Sequence, residues 1–189
     1  MSIYPKRVTK CEVQKITKSS KNINIRIAKE DELEEIIRVN RLSWKTTYKG
    51  IIEQKFLDDL PLTMSKEKLT EIKTEIKNNK RKYIVALYNK KIIGMLLYLG
   101  ANYEENNNVA RIQAIYILEE YQKQGIGKKM FDFAKEKMRK EKYTEIIIGC
   151  IEKNPSNEFY KKLGGEFVGK ESIKINGKDY KENIYKYYL

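Results

Sequence analysis

Apolar residues recur along this chain in two periods, and the period switches several times. Ile23, Ile25 and Ile27 alternate with Asn24 and Arg26, which predicts a half-buried strand. The acidic cluster Glu30-Asp31-Glu32 follows, and negative charge suits a first helical turn. Leu33, Ile36, Ile37, Asn40 and Trp44 then recur at helical spacing until Gly50 interrupts them. A shorter helical piece from Glu53 to Leu60 stops at Pro61, and another helix runs from Ser65 to Asn78 with Leu69, Ile72 and Ile76 on one face. From Lys82 the period becomes that of strands. Tyr83–Leu87 is one, Asn89-Lys90 a turn, and Ile92–Leu99 a second, apolar enough to be buried on both faces. After a polar loop at Tyr103–Asn108 come a strand at Val109–Ile117 and a helix at Gly127–Lys140, with Met130, Phe131, Phe133, Ala134 and Met138 facing the core. Thr144–Ile151 is a continuous apolar strand, expected at the centre of the sheet. Asn154-Pro155 reads as the start of the next helix, because Asn caps well and Pro suits the first helical position. Gly164-Gly165 ends it. Two last strands, Glu166–Ile175 and Asp179–Tyr188, flank the hairpin signal Asn176-Gly177. The element order predicts an α/β fold with a mixed sheet. Residues 23–189 form one domain, and the polar residues 1–22 read as an arm or an added edge strand.

Composition narrows the chemistry. A chain of 189 residues with 41% hydrophobic residues can bury one core. Histidine is absent, which excludes Ser-His and Cys-His catalysis, histidine zinc ligands and a histidine base. Cys11 and Cys150 alone cannot build a zinc cluster or a disulfide framework, so reduced thiols and no metal are expected. Lys plus Arg is 39 against 26 acidic residues, a net charge of +13. Such a balance could serve nucleic acid, an acidic ligand or a membrane surface. The lysines alternate with glutamates over most of the chain, as on a solvated surface, and no nucleic-acid motif accompanies them. Nucleic acid is therefore not an expected partner. The N-terminus lacks the apolar run of a secretory signal and no stretch could span a bilayer, so a cytoplasmic protein without membrane contact is expected.

The stretch from Ile115 to Lys129 is the most informative. A strand runs into a loop, and the loop opens a helix through Gly125 and Gly127. Glycine permits positive φ and close approach of a ligand to the backbone. First-turn N–H groups and the helix dipole then suit a phosphate or pyrophosphate, and Lys123, Lys128 and Lys129 add charge. Two commoner phosphate motifs do not fit. A dinucleotide fingerprint needs glycine where Met130 stands, and a P-loop needs glycine at Gln122 and Ser or Thr at Lys129. Two glycines at a helix start are also compatible with a purely structural turn.

Gln122-Lys123-Gln124-Gly125-Ile126-Gly127 resembles the Q/R-x-x-G-x-G/A motif of the GNAT superfamily of N-acetyltransferases. A strand like Ile115-Tyr116-Ile117 before the motif, an apolar strand like Ile146-Ile147-Ile148 after it, and Asn154-Pro155 followed by Phe159-Tyr160 and Gly164 are also in the family's order. The segment from Trp44 through Tyr48 and Gly50 resembles the first helical hairpin of many members. The resemblance covers residues 23–189 and is specific over 109–165. It implies a mixed, mostly antiparallel sheet with helices on both faces. Two parallel central strands, Val109–Ile117 and Thr144–Ile151, would splay around acetyl-CoA, the acyl-donor cosubstrate. By the same resemblance, Ile115, Tyr116 and Ile117 lie along the pantetheine and thioester. Gln122, Lys123, Gln124, Gly125, Ile126, Gly127 and Lys128 hold the pyrophosphate, and Asn154 meets the pantetheine arm. Tyr160 would protonate the leaving thiolate, as a phenol with an ordinary pKa near 10 can do at neutral pH. Each residue has a plainer alternative: Asn154 as a helix cap, Tyr160 as a core aromatic.

The implied reaction is direct transfer of an acetyl group to a primary amine of a small molecule or peptide in a ternary complex. Many members carry a glutamate on the strand before the motif, whereas this chain has Arg111 and Gln113 there, neither of them a base. Glu152, at the end of the next strand, is the nearest carboxylate to take that role, its alternative being an exposed strand-end charge. The missing glutamate also motivates a rival reading, a non-catalytic acyl-CoA-binding sensor or partner module. Substrate choice is assigned to Trp44, Tyr48, Phe56 and the loop at 101–108, with core packing as the alternative for Trp44 and Phe56. Asp58, Asp59, Glu104 and Glu105 could form an acidic pocket for a polyamine. The two final strands could also pair between subunits of a homodimer.

Overall fold

The computed structural model describes residues 22–100 and 108–189. The arm at 1–21, Cys11 and most of the 101–108 loop lie outside the described residues. Seven strands form one sheet: β1 (Asn24–Ile27), β2 (Arg81–Tyr88), β3 (Lys91–Leu99), β4 (Val109–Ile117), β5 (Glu145–Ile151), β6 (Glu166–Ile175) and β7 (Lys178–Tyr188). Their order is β1-β2-β3-β4-β5-β7-β6. Only β4 and β5 are parallel, and every other neighbouring pair is antiparallel. The helices are α1 (Leu33–Thr47), α2 (Gln54–Asp59), α3 (Lys66–Lys77), α4 (Ile126–Lys140) and α5 (Asn157–Lys162).

Side-chain alternation distributes the core over the two sheet faces. On one face Ile112, Ile146, Ile148 and Tyr185 meet Ile126, Met130, Phe131, Ala134 and Met138 of α4. On the other, Val85, Leu87 and Met95 meet Leu33, Ile36, Ile37 and Val39 of α1 and Ile72 of α3. A third cluster at the end of α1 joins Tyr48, Ile52, Leu57 and Leu60 to Ile151 and Ile175. β3 is apolar because it is covered on both faces, and Ile92, Ile93, Met95, Leu96 and Tyr98 are all buried. The hairpin between β6 and β7 turns through Asn176 (φ 48°) and Gly177 (φ 76°), the pair of positive φ values a tight hairpin requires.

One local expectation differs. The helix assigned to Asn154-Pro155 starts later, at Asn157. Asn154 Oδ1 accepts the Ser156 N–H at 2.9 Å, and the Asn154 carbonyl accepts the Asn157 N–H at 3.1 Å. The asparagine thus closes a turn on itself, and the helix begins only after that turn.

Two features of this framework position the site. β4 and β5 pair only from Val109↔Glu145 to Ile112↔Ile148, and beyond that point they separate. α4 starts at the same end of the sheet, directly after the loop that leaves β4.

Candidate active site

The separation of β4 and β5 opens a cleft of about 820 Å³, within the usual size of small-molecule sites. Backbone groups on the β4 side are left for a ligand. Leu118 N–H donates to the Ile93 carbonyl at 2.9 Å, so strand alternation turns the N–H and C=O of Ile117 and Ile115 away from β3 and towards the opening. The Ile117 carbonyl takes one bond, from Gln122 Nε2 at 2.8 Å, which ties the loop back to the strand.

The turn into α4 has the geometry of an anion seat. Gly125 has φ +76° and caps the helix. The first i→i−4 bond runs from the Lys129 N–H to the Gly125 carbonyl at 3.1 Å. The N–H groups of Ile126, Gly127 and Lys128 precede it and have no helical acceptor. At Gly127 a Cβ would lie 3.1 Å from Phe159 Cζ, so the helix start sits tight against α5. Lys123 and Lys128 line this end of the cleft, as does Glu119. Gln124 turns its amide back to the Glu120 carbonyl at 3.3 Å and does not line the cleft.

At the other end, the wall is aromatic and aliphatic. Trp44 and Tyr48 stack edge to face at 4.9 Å, and Tyr48 and Tyr116 share a hydroxyl–hydroxyl bond of 2.8 Å. Ile151, Ile173 and Ile175 complete that wall. Burial pushes the Tyr48 phenol up to about 12 and the Tyr116 phenol well above its ordinary value, so both are neutral donors near pH 7. Tyr160 reaches the cleft from α5 and is itself buried. Loss of water raises its phenol far above 10, and neighbouring Cys150 and Tyr48 add to this. Burial also lifts the Cys150 thiol up to about 12.

Most of the residues assigned from the sequence meet in this one space. Trp44, Tyr48, Ile115, Tyr116, Ile117, Gln122, Lys123, Gly125, Ile126, Gly127, Lys128, Asn154 and Tyr160 line it, whereas Gln124, Phe56 and Glu152 do not. Phe56 packs behind the wall with Leu57 and Leu60. Glu152 points into solvent and pairs with Lys170, which holds its carboxyl below the ordinary glutamate range. Asp58 and Asp59 are also outside the cleft, Asp58 being capped by Gln54 at 2.8 Å. Gly149, Lys162, Ile173 and Ile175 also line the cleft without a signal in the sequence, and two further polar residues stand out. Glu182 on β7 lines the cleft. Asn157, buried at the start of α5, ties that helix to β5 and β7 through hydrogen bonds to Ile151, Asn154 and Tyr185. No group of His, Cys, Asp and Glu among the described residues could hold a metal, and no described helix is long and apolar enough to cross a membrane.

A mixed sheet opened between two parallel strands, with a glycine-capped helix at the opening, forms a cleft suited to an extended ligand that ends in a phosphate. The sequence profile of the Acetyltransferase (GNAT) family matches residues 43–165, and the chain belongs to that family as an N-acetyltransferase. It is 28% identical over 162 residues to the uncharacterized N-acetyltransferase YuaI of Bacillus subtilis, covering 85% of this chain and 90% of that protein. The fold is similar to that of the PaiA N-acetyltransferase from Thermoplasma acidophilum, crystallised in complex with coenzyme A (TM-score 0.65, 24% identity, 88% of this chain and 99% of that one). It is also similar to the ribosomal-protein-alanine N-acetyltransferase from Brucella melitensis (TM-score 0.69, 18% identity, 88% and 99%).

Proposed function

We propose that the chain transfers the acetyl group of acetyl-CoA directly to a primary amine of a small molecule or peptide in a ternary complex. The observation that carries this reading is the loss of β4–β5 pairing beyond Ile112↔Ile148 at the same end of the sheet as the Gly125 turn. Unpaired strand groups suit the amides of a pantetheine arm, and the turn suits a pyrophosphate. When bound, acetyl-CoA supplies a thioester carbon open to attack and a thiolate leaving group. The N–H groups of Ile126, Gly127 and Lys128 would hold the phosphates, with Lys123 and Lys128 adding charge. Tyr160, neutral at physiological pH, would hold a proton at its Oη for the departing sulfur. A covalent route through Cys150 is disfavoured, because a thiol lifted to about 12 is almost wholly protonated at neutral pH. The apolar wall of Trp44, Ile173 and Ile175 favours an acceptor with an apolar body next to its amine.

Thermal unfolding with acetyl-CoA, beside ATP and NADH, tests the donor. A ligand at about 100 times its Kd stabilises by about 2.7 kcal/mol, a rise of about 5–10 °C for a domain of this size. The rise is expected with acetyl-CoA alone, and an equal rise with ATP would reduce the turn to a general phosphate seat. Release of free thiol with an amine panel then separates an enzyme from a binding module. For Tyr160→Phe, kcat falls about 10–100-fold while the Kd of acetyl-CoA stays within about twofold. An unchanged kcat returns Tyr160 to the core.

A further inference from the structure

The splay has two sides. Ile148, Cys150, Tyr185 and Tyr160 belong to the face covered by α4 and α5. Gly149, Ile151 and Glu182 lie on the opposite face. There Ile151 packs with Tyr48 at the end of α1, and Ile151 pairs in register with Glu182. The Glu182 side chain crosses β5 at Gly149. A Cβ built on Gly149 would stand 2.6 Å from Glu182 Oε2, so only a glycine leaves the carboxylate this position. The carboxylate thereby lies in the wall of the cleft. Among the described residues no side chain donates a hydrogen bond to it, unlike Glu152, which Lys170 occupies.

We propose that Glu182 is the proton acceptor for the incoming amine, reaching the reaction centre from β7 across the gap that Gly149 leaves. The inference rests on the acetyl-transfer reading above. The substrate ammonium gives one proton to a Glu182 oxygen, and the freed lone pair forms the N–C bond to the acetyl carbon. The C–S bond breaks, the second proton of the nitrogen ends on the sulfur, and Glu182 returns its proton to solvent. One proton is released per turnover. Charge is distributed to match. Lys123, Lys128 and Lys162 outnumber Glu119 where the cleft meets the Gly125 turn and α5, with Lys128 also paired to Asp132 at 2.6 Å, whereas Glu182 stands with Ile151 and Ile173.

The groups facing Glu182 act in both directions. Arg111 on β4 lowers its pKa, Glu171 on β6 raises it, and burial raises it most, so the net shift is upward. Arg111 is engaged by Glu171 at 3.2 Å, which divides its charge. Tyr48 from the end of α1, Cys150 on β5 and Tyr160 on α5 also feel the Glu182 charge, and all three stay neutral near pH 7. A raised carboxyl pKa moves this group towards the range useful to a base.

The test compares parent, Glu182→Gln, Gly149→Ala and the double variant by thiol release from acetyl-CoA. The acceptors are n-hexylamine, 2-phenylethylamine and leucinamide, with spermidine as a polycationic contrast. For Glu182→Gln, kcat/KM falls about 100-fold near pH 7, and the acidic limb of the pH profile moves from the Glu182 carboxyl up to the amine's own pKa, so the deficit shrinks as that pKa is approached. The Kd of acetyl-CoA stays within about twofold. Gly149→Ala displaces the carboxylate and lowers kcat/KM about tenfold, and adds little when Glu182 is already Gln. A second readout needs no turnover: the carboxyl 13C resonance absent from Glu182→Gln titrates above the ordinary glutamate range in the parent. Parent-like rates and an unmoved acidic limb in Glu182→Gln overturn the proposal while leaving acetyl transfer standing. A Glu182 carboxyl titrating at or below the ordinary range overturns it as well. A parent that binds acetyl-CoA and releases no thiol with any amine overturns the transfer reading and this inference together.

Discussion

Gly125→Asp is expected to weaken acetyl-CoA binding about 100-fold in a direct titration, with little loss of thermal stability in the free protein. Gly125 sits at φ +76°, a conformation that costs an L-residue roughly 1–2 kcal/mol, and Asp tolerates it better than most. No atom lies within 4 Å of the position a Cβ would take, so the change meets no clash. An Asp at a helix start is otherwise favourable, because its negative charge complements the dipole. This gain offsets the backbone strain and keeps the fold intact. The same carboxylate would occupy the seat proposed for the pyrophosphate. Two negative charges about 5 Å apart at an effective dielectric near 20 repel by about 3 kcal/mol. That repulsion corresponds to a loss of about 100-fold. Gly125→Asn is the control, since it has the same shape and tolerance of positive φ without the charge, and it is expected to lose only a few-fold. If Asp and Asn weaken binding equally, the phosphates do not sit at this turn.

The sequence carried the frame of this protein and missed the side chains that only the sheet brings together. β3 and β5 read as buried strands from unbroken apolar runs, and α4 from its 3.6-residue period, because burial on a single covered face or on two leaves a direct mark on composition. The glycine turn was legible for the same local reason. Glu182 was not. It lies in a strand of alternating polar residues, and its place in the cleft depends on Gly149, which is brought beside it by β5–β7 pairing. Glu152 attracted attention because it ends a central strand, but Lys170 from β6 holds it outside. Phe56 has the size of a pocket residue, yet α2 turns it into the packing behind the wall. Asn154 drew the expected helix start two residues early, since its capping chemistry is spent on a turn, and Asn157 stood inside the expected helix as an ordinary polar position.

Asn157→Leu is the substitution expected to destabilise the fold most, by about 3–4 kcal/mol. Asn157 is buried, and its side chain makes five contacts with other residues. Its Nδ2 donates to the carbonyls of Ile151 (2.9 Å), Glu152 (3.2 Å) and Asn154 (2.6 Å). Its Oδ1 accepts from Asn183 Nδ2 at 3.0 Å and from the Tyr185 hydroxyl at 2.9 Å. The losses are unequal. The Ile151 and Asn154 carbonyls each keep a backbone donor, Asn154 N–H at 2.8 Å and Asn157 N–H at 3.1 Å, and the Glu152 and Asn183 groups are near solvent. Tyr185 is fully buried, so its hydroxyl would lose the Asn157 acceptor with no water to replace it and keep only the neighbouring Asn183 amide, at a cost of about 1–3 kcal/mol. Weakened carbonyl bonds bring the total to the expected figure, which lowers Tm by about 10 °C for a domain of this size. Removing the hydroxyl restores part of it: in Asn157→Leu with Tyr185→Phe, the combined loss is smaller than the sum of the two by about 1–2 kcal/mol. The effect reaches the site, because the same bonds fix the turn bearing Asn154 and the helix bearing Tyr160. Asn157→Leu therefore also lowers kcat below what its folded fraction explains. Strict additivity with Tyr185→Phe, measured by denaturant unfolding, would show that the hydroxyl finds another partner and that the network is not the anchor of α5.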